Sequence, residues 1–201
     1  MLGYIVVSCD DENLEVVNPN ESSTGSFWKN LSDTNIGLSA AYNALLDEDI
    51  YMIVREGMRS DMGWPGFGRP IANAAANRIM YELTYTNSSG YVTEKWNATY
   101  KAIFRANQVI EGLEGLEDGL TSEEEIESWT IQMGQARFIR GLMHFYLHSA
   151  YNQGSVIIRD KVPVDTEDFN KAVSPASEVI EFARRDLEFA YDNLPAVYED
   201  E

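Results

Sequence analysis

The stretch Met133–Tyr151, MGQARFIRGLMHFYLHSAY, is apolar around almost its whole helical circumference. Ile126, Trp129, Met133, Ala136, Arg140, Met143, Leu147 and Ala150 step alternately by three and four residues, which lays them along one face of a long α-helix. Phe138, Ile139, Leu142, Phe145 and Tyr146 widen that stripe on its flanks. Such a helix is stable in water only when other helices cover it on several sides, so the chain is expected to be an all-α assembly wrapped around this segment. Arg137 and Arg140 interrupt the apolar pattern one turn apart near its middle. Guanidinium groups placed there require carboxylate or carbonyl acceptors, which either a structural ion pair or a bound ligand supplies.

The flanking sequence provides the partners. Trp96, Tyr100, Ile103, Asn107 and Ile110, with Phe104 alongside, form a second stripe at helical spacing, and Gly112, Gly115 and Gly119 mark its end. Ser122 with Glu125 resembles a capping box opening the central helix. These two long helices are expected to pack antiparallel across the short glycine-bearing turn. Earlier in the chain, Ser32 or Asp33 can cap a helix whose inner face would hold Ile36, Ser39 or Ala40, Asn43 and Leu46. Ile50 to Met58 is a short helix or an extended piece, and Ile71 to Tyr85 begins as helix. Asn152-Gln153-Gly154 stops the central helix, Ser155 to Pro163 reads as extended, and Asp165 to Val173 is a polar crossover. Ser174-Pro175 starts a last helix with Ile180, Ala183, Leu187, Ala190 and Leu194 on one face. Residues 1–30 divide off as an apolar start followed by a linker, and 31–201 as the helical domain.

Charge removes several function classes. Fifteen basic against 33 acidic residues give a net charge of −18, which is repelled by phosphate backbones, so nucleic acid is not an expected partner. A single cysteine excludes an internal disulfide and a cysteine-cluster zinc site. No apolar run reaches the roughly 20 residues of a membrane-spanning helix. His144 and His148 have the spacing of a zinc-binding pair, but the intervening Phe145-Tyr146-Leu147 carries no glutamate and no third ligand is evident. Cys9 lies where no ordered base is expected to activate it. Carboxylates are abundant, but a glycosidase pair requires two of them across a cleft, a placement that abundance does not supply. No catalytic residue, metal site or cofactor is expected, and the protein is read as not an enzyme.

Ser60 to Pro70, SDMGWPGFGRP, cannot continue a helix, because its glycines and prolines fix the backbone into turns. Trp64 and Phe67 can pack inward to hold such a loop. The alternative to that commoner arrangement is a flat stacking surface for a pyranose ring, with Asp61 and Arg69 as hydrogen-bonding partners for its hydroxyls.

The set Trp96, Tyr100, Ile103, Asn107, then GQARFIRGLMHFYLHSAYNQGSVII, then Ala183-Arg184-Arg185-Asp186-Leu187 with Asn193-Leu194-Pro195 resembles the SusD/RagB family of outer-membrane nutrient-binding lipoproteins. Ala136-Arg137-Phe138 and the aromatic run to Tyr151 carry most of the likeness. It extends from Cys9 to Pro195. Val6-Val7-Ser8 before Cys9 looks like a lipobox, in which Cys9 would be lipidated, although the apolar run is short and lacks a basic residue ahead of it; a frayed apolar start is the other reading. Asp10, Asp11 and Glu12 resemble the acidic patch that routes some Bacteroidetes lipoproteins to the cell surface.

The resemblance implies tetratricopeptide-like helix pairs forming an α-α superhelix with long irregular loops. It implies a surface-exposed, lipid-anchored protein of the outer membrane that binds an oligosaccharide or other nutrient and delivers it to a SusC-like TonB-dependent transporter. Members of the family are longer, so the chain is expected to be an N-terminal portion. A helical-repeat adaptor for a protein partner, without glycan binding, is the alternative, and an accessory module of a glycan hydrolase is a third class.

Overall fold

The long stripes fold as the helices their spacing predicts. The computed structural model describes residues 27–60, 62, 63 and 75–197, and among these all regular structure is helical. In chain order the helices are α1 (Leu31–Ala44), α2 (Glu48–Tyr51), α3 (Ile53–Arg59), α4 (Ala75–Tyr81), α5 (Gly90–Glu114), α6 (Glu123–Ala150), α7 (Thr166–Phe169) and α8 (Ala176–Asn193), with single 3-10 turns at Glu117–Gly119 and Asn152–Gly154. The capping box opens α6: Ser122 Oγ accepts from the Glu125 amide at 3.2 Å and the Glu125 carboxylate accepts from the Ser122 amide at 3.1 Å. At the other end Asn152, Gln153 and Gly154 take φ of 42°, 54° and 90°, left-handed backbone that cannot extend a right-handed helix.

Helix α6 lies at the centre, with α1 and α5 against it on one side and α8 on the other. Trp129 Nε1 donates to the Leu113 carbonyl at 2.8 Å, and Tyr151 OH donates to the Val92 carbonyl at 2.6 Å. The start of α6 therefore meets the end of α5 and the reverse, which is the antiparallel pairing expected. Between them Ile103, Val109, Leu113, Ile139, Met143 and Leu147 are fully buried. Toward α8 the approach is set by absent side chains. A Cβ on Gly134 would lie 2.9 Å from Leu194 Cδ2, and one on Gly141 would lie 2.9 Å from Asp186 Cβ and 3.0 Å from the Ala183 carbonyl. These glycines, seven residues apart, share the face on which α8 rests.

Four details depart from what the sequence suggests. The inner face of α1 is Thr34, Leu38, Ala41 and Ala44, whereas Ile36 and Leu46 are 58% and 79% exposed. A buried threonine, whose hydroxyl donates to Gln132 Oε1 at 2.7 Å, hides this face from an apolar count. The cap is Asn30, whose Oδ1 accepts from the Ser32 and Asp33 amides, not Ser32 or Asp33 themselves. On α8 the buried line is Val179, Ala183, Asp186 and Ala190, because a charged residue occupies a core position there. Trp28, in the stretch read as linker, is wedged between α1 and α5: Cβ atoms on Gly37 and Gly112 would come within 2.5 and 2.7 Å of its ring.

Residues 155–163 are extended without a neighbouring strand, so their backbone groups need other partners. Side chains of the two long helices provide them. Tyr100 OH donates to the Ile157 carbonyl at 2.8 Å and accepts from the Ile157 amide at 3.1 Å. Asn107 Nδ2 donates to the Arg159 and Lys161 carbonyls, and Arg140 Nη1 to the Asp160 carbonyl. His144 Nε2 accepts from the Arg159 amide and Glu111 from the Val162 amide.

Candidate functional site

Asp61, Trp64, Phe67 and Arg69, chosen from the sequence as ligand contacts, and Cys9, chosen as the lipidation site, lie outside the described residues. What the structure places is the end of α3 from which the Ser60 to Pro70 stretch departs. There Ser60 Oγ donates to the Gly57 carbonyl at 3.1 Å, and the Gly63 amide donates to the same carbonyl at 2.8 Å, so the chain folds back on the helix end.

Beside this point is a cleft of about 190 Å³ between α3, the turn before α5 and the end of α6. Its cations are organised by one carboxylate. Glu56 Oε2 holds Arg59 Nη1 at 2.8 Å while Glu56 Oε1 holds Lys95 Nζ at 3.2 Å. The Arg59 guanidinium lies over the Tyr85 ring, 5.5 Å from its centroid. Tyr91, Asn87 and Tyr151 line other parts of the wall. Burial, with the Glu56 charge behind it, pushes the Tyr151 phenol up to about 12, so it stays a neutral donor, bonded to Val92. The Trp96 ring meets the Tyr151 ring edge-on at 5.1 Å, fixing that wall from behind. Aromatic faces beside planar polar groups suit a ligand with an apolar face and a hydroxyl edge.

None of these residues was singled out from the sequence as a ligand contact. Lys95 and Tyr151 sit beside or at the end of apolar stripes, and Arg59 and Tyr85 lie on short segments without periodicity. The one available signal was Arg59 directly before the glycine-rich stretch, three residues after an acid on the same helix.

The two arginines of the central helix have a structural assignment. Asp186 receives Arg137 Nε at 2.8 Å, Arg140 Nε at 2.7 Å and Arg140 Nη2 at 2.9 Å, and is itself 1% exposed. Arg140 Nη1 reaches Asn107 Oδ1 and the Asp160 carbonyl, so each of its three nitrogens is engaged within the protein. His144 is fully buried; its Nδ1 is 2.9 Å from the Arg140 carbonyl, an acceptor, so the ring carries its proton on Nδ1 and leaves Nε2 to accept from Arg159. Burial lowers its pKa to about 4. With both ring nitrogens engaged it is not available to pair with His148 around a metal.

The family model described as starch-binding and associating with the outer membrane, of SusD-like type, matches residues 68–201. A SusD-like protein of Formosa agariphila is 29% identical over 201 residues, covering 98% of this chain and 36% of that protein. Among crystal structures, a SusD superfamily protein from Bacteroides vulgatus superposes with a TM-score of 0.69 at 22% identity, over 86% of this chain and 36% of its own. A SusD homologue from Bacteroides thetaiotaomicron gives 0.70 at 21%, over 88% and 32%. At these identities the structural likeness is one of fold. The chain spans about a third of the length of the proteins it matches.

Proposed function

This chain belongs to the SusD-like family of starch-binding proteins that associate with the outer membrane, and we propose that it serves cell-surface capture of an oligosaccharide and its delivery to a SusC-like TonB-dependent transporter. Its tetratricopeptide-like helical fold is that of the SusD superfamily. The observation that carries the reading is the Arg59 cleft: a guanidinium fixed by Glu56 over the Tyr85 ring, at the point where the chain enters Ser60 to Pro70. In this reading Trp64 and Phe67 supply stacking faces and Asp61 and Arg69 hydrogen-bond hydroxyls. Cys9 carries the lipid anchor, and the protein binds its ligand without transforming it.

The test uses the whole protein and a maltooligosaccharide series, titrated calorimetrically. Arg59→Ala and Tyr85→Ala are expected to weaken binding by about 1 to 3 kcal/mol, the scale of one stacked contact, with unchanged melting temperatures. Absence of binding to these sugars and to a broad glycan array, together with specific capture of a protein partner, would move the protein to the adaptor class. Loss of palmitate-analogue labelling in Cys9→Ala tests the anchor; retained label rules it out.

A further inference from the structure

A second cleft, of about 260 Å³, lies between α5, the extended segment and α7. Trp96, Tyr100 and Phe104 recur every four residues along α5 and form one wall as an aromatic ridge, with the first two rings 4.7 Å apart. Phe169 of α7 stands opposite. Phe104 and Phe169 are 42% and 63% exposed, so two phenyl rings border the opening instead of filling the core.

The polar groups around the cleft are held in fixed positions. The Arg159 guanidinium donates to the carbonyls of Asp168 and Phe169, at the end of α7 where carbonyls lack helical partners. Lys161 Nζ pairs with Asp168 Oδ1 at 2.8 Å. These contacts fasten Phe169 opposite the ridge: the Asp168 carboxylate meets Lys161, the Arg159 guanidinium meets main-chain carbonyls, and the net charge of −18 over the protein disfavours an anionic occupant. Remaining ammonium hydrogens of Lys161 and the carboxylate oxygens of Asp168 still offer donors and acceptors. Deeper in, Tyr100 OH and Asn107 Nδ2 are committed to backbone groups of the segment, leaving the floor to ring faces. An aromatic slot with a polar rim matches a ring that has C–H faces and a hydroxyl edge. The volume is below the roughly 300 Å³ at which pockets for drug-sized ligands begin, which limits the occupant to a single ring.

We propose that this cleft is a second carbohydrate site, distinct from the Arg59 cleft, that takes one neutral pyranose ring stacked between the Trp96–Phe104 ridge and Phe169. The proposal rests on the reading of the protein as glycan-binding. It is tested with the whole protein labelled with fluorotryptophan, the Trp96 fluorine resonance being assigned by Trp96→Phe. Neutral methyl pyranosides of glucose, galactose, mannose and xylose are titrated up to about 50 mM, above the millimolar range of a weakly held single ring.

A saturable shift of the Trp96 resonance is expected with at least one of them. Phe169→Ala and Phe104→Ala should each weaken it by about tenfold, the loss of one stacking face, whereas Tyr85→Ala in the other cleft should leave it unchanged. Both phenylalanines are surface-exposed, and an unchanged melting temperature confirms folding. No shift with any pyranoside while oligosaccharides still bind overturns the second site and leaves the glycan reading standing. A shift that survives both phenylalanine substitutions, or is lost in Tyr85→Ala, also overturns it. Absence of binding to every sugar tested, long or short, overturns both.

Discussion

Replacing Asp186 by alanine removes one acceptor from three charged hydrogen bonds: those of Arg137 Nε, Arg140 Nε and Arg140 Nη2. Bonds to charged groups are each worth about 1.5 to 3 kcal/mol, but their sum overstates the loss. The Arg137 side chain is 27% exposed and stacks on the Phe189 ring, so it can rehydrate at little cost. Arg140 cannot, since its side chain is 9% exposed and only Nη1 keeps acceptors, on Asn107 and Asp160. The cost is that of a buried cation left without its anion, about 3 to 5 kcal/mol, a large share of the total stability of a domain.

Urea unfolding followed by circular dichroism measures it, through the shift in midpoint at constant slope. The cycle with Arg140→Met isolates the pair: the double variant should lose less than the sum of the singles by about 2 kcal/mol, because each single removes both Arg140–Asp186 bonds. A loss below about 1 kcal/mol for Asp186→Ala, or additivity in the cycle, would show that Arg140 is solvated and that the pair does not hold α6 to α8.

Gly141→Ala should cost about 1 to 3 kcal/mol by overpacking, since its Cβ would meet Asp186 Cβ at 2.9 Å; the same unfolding curves check it, and a neutral result would mean the helices can separate freely. Tyr100→Phe leaves the carbonyl and amide of Ile157 without their shared hydroxyl partner and should cost about 2 kcal/mol, with faster amide exchange at Ile157 as the local readout. His144 has a folded pKa of about 4 against an ordinary 6.5. Between those values the unfolded state binds more protons, so stability is complete above 6.5 and is lost as the pH falls toward 4, by about 3 kcal/mol in all. His144→Gln should remove that slope, and a slope that persists would place its origin in other groups.

What the sequence revealed depended on how many side chains shared one rule. Helices α5 and α6 are long and their faces are repeated many times over, so their existence, pairing and capping box were legible. The phase of α1 was not, because Thr34 takes an inner position through its bond to Gln132, a partner 98 residues away. Asp186 was invisible for a similar reason: a carboxylate belongs to the surface by composition, and only the approach allowed by Gly141 puts it between two arginines. The need for an acceptor at Arg137 and Arg140 could be read from burial alone. Its identity could not. The Arg59 cleft gathers residues from short segments whose relative placement is tertiary, and no local pattern encodes it.

The extended segment shows how that tertiary placement is achieved. With no strand beside it, residues 155–163 are held largely through Tyr100, Asn107, Glu111, Arg140 and His144, each bonded to their backbone. Arg140 joins three elements, since the same guanidinium holds Asp186 on α8, Asn107 on α5 and the Asp160 carbonyl. The segment in turn carries Arg159 and Lys161, which fix α7 and with it Phe169. The walls of the second cleft are thus set by the buried network, and a ring that stacks there meets surfaces whose ordering cost has already been met in folding. Loosening the network should therefore weaken ligand binding in this cleft before it unfolds the protein. The Arg59 cleft, which borders it through the start of α5 and the Trp96–Tyr151 contact, should be affected less.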